Sequence, residues 1–175
     1  LMTDAIRKIN KPKGLYNKND YLAYVKWFYK HYVFFLWYKG MTGVTLMNTL
    51  NRYFMLNDIG LRARWRLFLM KQIRHLIRKN KPVVLSIGPN IPNVFGDKGI
   101  HMYVEKDGRM LASMKKNVHS HYVVVTGVEE ISGHEYLIVS SWGKKYYISY
   151  EEYRDYVKHS GGRITSSILY IKGMI

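Results

Sequence analysis

The stretch HSHYVVVTGVEEISGHEYLIVSSWGKKYYISYEEY, residues 119–153, decides the fold. HYVVVTGV at 121–128, EYLIVSSW at 135–142 and KYYISY at 145–150 are short runs rich in β-branched and aromatic residues, and Ser132-Gly133 supplies a turn after the first of them. Such runs, bounded by turn residues, predict adjacent antiparallel strands. A His that opens one strand and a small polar residue that ends the next, just before Trp142-Gly143, then meet at one end of a sheet. His121 so held is a candidate general base, with the small polar residue as the candidate partner that fixes its tautomer. The nucleophile of such a site comes from elsewhere in the chain. Trp142 is read as core or as a lid over that pair. The bland alternatives are a buried His bonded to a backbone carbonyl and a Ser that ends its strand on the backbone.

Working outward, the flanks complete an α+β pattern. EEYRDYVKHSGG reads as a short helix closed by Gly161-Gly162, and SSILYIK at 166–172 as a last strand. Upstream, PVVLSIG at 82–88 is a short buried strand followed by a long loop rich in Gly, Asn and Pro. Leu69, Ile73, Leu76 and Ile77 trace a helix that ends at Lys79-Asn80-Lys81-Pro82, with cations beside the carboxyl end of its dipole. Leu61, Ala63, Trp65 and Leu67 alternate with Arg62, Arg64 and Arg66, which is the period of a half-buried strand. Three helices are expected earlier: Leu1 to Ile9, one capped by Asn19 or Asp20 with Leu22, Val25, Phe28, Tyr29 and Tyr32 at helical spacing, and one carrying Leu46, Leu50 and Phe54. Without repeats or a linker, the reading is one domain over 1–175, with a helical part at 1–60 and a sheet part at 61–175.

The chain has 175 residues, 47% hydrophobic and 15% aromatic, which excludes a disordered tail. The longest apolar run, YVFFLWY at 32–38, is far short of the roughly 18 residues of a spanning helix, so a transmembrane chain is not expected. With zero Cys, disulfides, thiolate zinc sites and a Cys nucleophile are excluded within these residues. His119 and His121 share one strand face, but without Cys or an obvious third ligand no metal is expected, and no cofactor motif appears. Gly60, Gly88 and Gly99 form no phosphate-cradling spacing. The net charge is +16, and residues 1–95 hold 17 basic side chains against Asp4, Asp20 and Asp58. That asymmetry points to an acidic partner. The candidate surface for it is Arg62, Arg64 and Arg66 beside Lys71, Arg74 and Arg78. Tyr and Trp interleave through 21–38, but no nucleic-acid-binding signature accompanies them, and nucleic acid is not the expected partner.

The same residues carry a family resemblance. HYVVVTG at 121–127, Ser140-Ser141-Trp142-Gly143, and the helix and strand LMKQIRHLIRKNKPVVLSIG before them resemble papain-like cysteine peptidases. The likeness is to the bacterial branch that processes double-glycine leader peptides. It covers 61–172 well and 1–60 only by the order of helices. In that family the His stands in a HYVVVTG-like strand, and an Asn or Asp precedes Ser-Trp-Gly or Pro-Trp-Gly. The resemblance therefore implies a bacterial source, peptide or protein substrates, and His121 and Ser140 as catalytic residues supported by Trp142.

The chain departs from the family twice. Ser140 stands where the Asn or Asp is expected, and its hydroxyl accepts from an imidazole N–H without supplying charge. The Cys and its central helix are absent. Because the first residue is Leu1 rather than Met, the expectation is that a Cys-bearing helix precedes it, Leu1 to Ile9 being that helix's last turns. The alternative is a catalytically inactive papain-fold module that binds a peptide or an acidic partner through its basic half. Ser86 and Ser141 are not expected to replace the nucleophile, since neither sits in a Gly-x-Ser-x-Gly elbow.

Overall fold

The computed structural model describes residues 18–33, 42–67, 69–88, 99–113, 117–159 and 166–173. The helix expected at Leu1 to Ile9, Gly161-Gly162 and most of the loop after Gly88 lie outside them. Among the described residues two helices come first, α1 (Lys18–Tyr32) and α2 (Gly43–Leu56), followed by strand β1 (Leu61–Leu67), helix α3 (Met70–Arg78) and strand β2 (Val83–Ile87). Five further strands are β3 (Tyr103–Lys106), β4 (Arg109–Ala112), β5 (His121–Ile131), β6 (His134–Ser141) and β7 (Lys144–Ser149). Helix α4 (Tyr150–His159) and strand β8 (Ser167–Gly173) complete the described chain. The eight strands form one sheet in the order β1-β8-β2-β5-β6-β7-β3-β4, and the named neighbours pair antiparallel. The chain is thus α+β, and its described residues form four helices around an eight-stranded antiparallel sheet.

Three of the hairpins are closed by two-residue turns, Asp107-Gly108, Ser132-Gly133 and Trp142-Gly143, with positive φ at both positions. That is the type I′ geometry, whose twist matches the flanking strands. Glycine fits the second position in each, whereas Trp142 at φ 47° is a bulky side chain in the left-handed region. The hairpin of β3 and β4 corrects the expectation of a continuous loop between residues 88 and 121. Its turn signal, Asp107-Gly108, stood in the sequence.

At β2 and most of β8 the sheet is buried on both faces, which accounts for their near-continuous apolar runs. On one face α3 and α4 cover Val83, Leu85, Ile87, Val123, Val125, Leu137, Val139 and Ile148. α3 presents Met70, Ile73 and Leu76 to that core and its basic side chains outward, as an amphipathic helix must. On the other face α1 and α2 pack Tyr32, Leu50, Tyr53 and Phe54 against Ala63, Val84 and Leu169. In α1 only Phe28 and Tyr32 of the expected set reach this core, while Leu22, Val25 and Tyr29 are exposed. Thr42 caps α2 by accepting from the Thr45 N–H. Gly43 lets the helix start against the Trp65 indole, where a Cβ would collide. Among the described residues no helix is long and apolar enough to cross a membrane.

Candidate active site

β2 and β5 pair so that His121 lies directly across from Ile87, and it therefore shares the face of Leu85, Val123 and Val125. In β6 the residues of that face are Leu137, Val139 and Ser141, since Val125 pairs with Val139. The alternation of a strand then settles which hydroxyl meets the imidazole. His121 Nε2 lies 2.8 Å from Ser141 Oγ. Ser140, the residue expected to orient the ring, pairs with Val124 and is exposed on the opposite face. The expected His121–Ser140 contact is therefore corrected to His121–Ser141: one residue's shift along a strand exchanges faces.

Trp142 comes next in the chain and lies over the ring. The indole and imidazole stack with centroids 4.4 Å apart and planes 12° apart, and Tyr146 meets the indole edge-on at 6.2 Å. Trp142 thus lies over the imidazole and is 57% exposed rather than core. Holding Trp in the left-handed region costs about 1 kcal/mol, and an aromatic stack of this geometry returns about the same. The strained turn and the stack place the indole on the ring.

The other side of His121 is pinned from β2. Gly88 O accepts from the Ser120 N–H at 3.1 Å and from the Tyr156 hydroxyl at 2.5 Å. Tyr153, fully buried in α4, donates to Ser86 O at 2.6 Å. Helix α4 therefore fixes the end of β2 that borders the imidazole, and Ser120 enters β5 at φ 50°. Burial pushes the His121 imidazolium below its ordinary value by desolvation. The ring is consequently neutral at neutral pH, with one nitrogen on Ser141. Its other nitrogen, Nδ1, has no partner among the described residues.

The expected cations lie on two elements, β1 and α3. Arg62, Arg64 and Arg66 are exposed on β1, whereas Arg74 on α3 is held by Glu135 of β6, with its Nε at 2.9 Å. Lys71 and Arg78 stay on the solvent side of α3. Of the expected anionic-partner residues, Arg74 is thus the one engaged by a carboxylate among the described residues. Among the described residues no group of three or more His, Cys, Asp or Glu is placed to hold a metal. A hollow lined by Asn51, Phe54, Met55 and Asp58 to Arg62 carries no imidazole or hydroxyl nucleophile.

A second imidazole escaped the sequence reading. Glu152 on α4 accepts from the His101 N–H at 2.6 Å and the Tyr103 hydroxyl at 2.8 Å, and its Oε1 lies 2.7 Å from His101 Nδ1. No spacing rule joins residues about fifty positions apart, so only the fold reveals the cluster. No protein-family model matches the chain, and no curated protein matches it.

Proposed function

We propose that the chain is a papain-like α+β domain carrying the base of a cysteine-peptidase site, with His121 as general base. Ser141, rather than Ser140, positions the ring, and Trp142 covers it. The observation that carries this reading is the Nε2–Ser141 contact. If Nε2–H donates to the hydroxyl, the lone pair resides on Nδ1, which has no partner among the described residues, in a ring that burial keeps neutral. Helices preceding an antiparallel sheet, a His at the start of one strand, and a Trp-Gly turn ending the next also support the family reading.

In the reaction, a thiol proton passes to Nδ1 as sulfur attacks the peptide carbonyl carbon. The C–N bond breaks as the imidazolium returns that proton to the leaving amine, and water then cleaves the thioester. Because residues 1–175 hold no Cys, the reading requires the thiol from outside them, and residues 1–175 by themselves are expected not to cleave peptides by this route.

The test uses the natural gene product, with intact mass measured before and after iodoacetamide. The expected result is one alkylated Cys outside residues 1–175, with an alkylation rate that falls at least about tenfold in His121→Ala as the thiolate loses its imidazolium. No alkylated site, or a rate indifferent to His121, overturns the reading. Labelling of Ser141 by a fluorophosphonate also overturns it, in favour of a serine nucleophile with Nε2 as its base.

A further inference from the structure

The basic stripe of β1 stands apart from the His121 site, and its geometry identifies a partner independently of the peptidase reading. Arg62, Arg64 and Arg66 are exposed at every second position of the strand. They therefore project from one sheet face about 7 Å apart. Lys172 of β8 is also exposed, lies directly across from Arg62 and shares that face. None of the four cations has an ion pair among the described residues; Asp58 borders the same hollow as Arg62 without pairing with it.

Charged residues on an outer strand usually serve to prevent edge-to-edge association. Here a different side chain does that. Asn51 of α2 donates from Nδ2 to Ala63 O at 3.1 Å and accepts from the Ala63 N–H at 2.7 Å. Its carboxamide stands in for a neighbouring strand at the middle of β1. The edge is closed there, so the arginines are not needed to close it. They nevertheless remain as a row of like charges, with Arg62 against Lys172, an arrangement that costs the free protein stability.

We propose that this row is a track for an extended acidic peptide whose carboxylates fall at every second residue. An extended chain repeats its side chains on one face with the same spacing of about 7 Å. Each carboxylate can therefore meet one guanidinium, which suits planar two-oxygen recognition. Such a ligand relieves the repulsion that the free protein carries. The edge cap at Ala63 directs the peptide across the arginine face rather than into the sheet as another strand.

The experiment measures fluorescence anisotropy of three labelled probes at low and at physiological salt. One probe is a peptide of five alternating Glu-Thr pairs, the second has five Glu followed by five Thr, and the third is an oligothymidylate of equal charge. The alternating peptide is expected to bind tightest, with affinity falling as salt rises. Arg64→Gln is expected to weaken it about fivefold, and Arg62→Gln/Arg64→Gln/Arg66→Gln at least about thirtyfold. Lys71→Gln/Arg78→Gln is expected to leave it unchanged, and the triple variant to unfold at the same or a higher urea concentration than the parent. Equal affinity for the two peptides, tighter binding of the oligonucleotide, or full affinity in Arg64→Gln overturns the proposal. If the triple variant fails to fold, the single variant decides.

Discussion

Two imidazoles border the same core, and their partners differ. His101 is anchored to a carboxylate that also takes its own backbone N–H and the Tyr103 hydroxyl. His121 is anchored to a hydroxyl and roofed by an indole. Glu152 ties helix α4 to the segment entering β3, and the Tyr103 phenol is pushed up chiefly by burial, with the carboxylate adding to it. A carboxylate serving three donors is a fastening. A lone hydroxyl orients a ring without charging it, and desolvation then keeps that ring neutral. The difference separates a group that holds the chain together from one able to accept a proton.

Removing each anchor is the most forceful way to break this contrast. Glu152→Ala strands three donors at once and should cost about 3 kcal/mol of stability in urea unfolding. A loss under about 1 kcal/mol would mean that the cluster is not a fastening. Ser141→Ala removes one hydrogen bond and should cost about 1 kcal/mol, whereas its neighbour Ser140→Ala, exposed on the other face, should stay within about 0.5 kcal/mol. Equal effects at the two serines would contradict the register.

Acidification sharpens the comparison further. Between the lowered value of His121 and its ordinary value of 6.5, the unfolded chain binds a proton that the folded chain refuses. Stability contributed by the neutral ring is therefore complete above about 6.5 and is lost as pH falls through the folded value. Urea midpoints measured from pH 7.5 downward should drop less steeply in His121→Gln than in the parent. An effect on stability as small as that of Ser140→Ala, within about 0.5 kcal/mol, is expected at Trp142→Asn, because relief of the left-handed backbone offsets the lost stack. The same variant should move the His121 value upward by exposing the ring, which an NMR titration of the imidazole reads directly.

Much of the architecture was legible because periodicity survives in the sequence. β1 announced itself by the Arg alternation of 61–67, and β5 to β7 by apolar runs punctuated with Ser132-Gly133 and Trp142-Gly143. The pairing of β3 with β4 was missed although Asp107-Gly108 marks it, because the two strands are four residues each and only half-buried. The family pattern, which counts positions before Trp-Gly, points to Ser140. The strand's own alternation, Leu137, Val139, Ser141, carries the opposite answer. The Glu152 cluster and the Asn51 cap had no local signal, since each joins side chains that only the tertiary fold brings together.

The central claim is that His121 is a neutral base whose Nε2–H is committed to Ser141, leaving the lone pair on Nδ1. Nitrogen-15 NMR of the labelled imidazole, titrated across pH 5 to 8 in the parent and in Ser141→Ala, tests it directly. The account predicts an Nε2–H tautomer and a titration midpoint below 6.5 in the parent, with the tautomer preference weakened once the hydroxyl is gone. An Nδ1–H tautomer, or a midpoint at or above 6.5, would contradict it: the first would hand Nε2 the role of base toward Ser141, and the second would mean that the ring is not held neutral by burial.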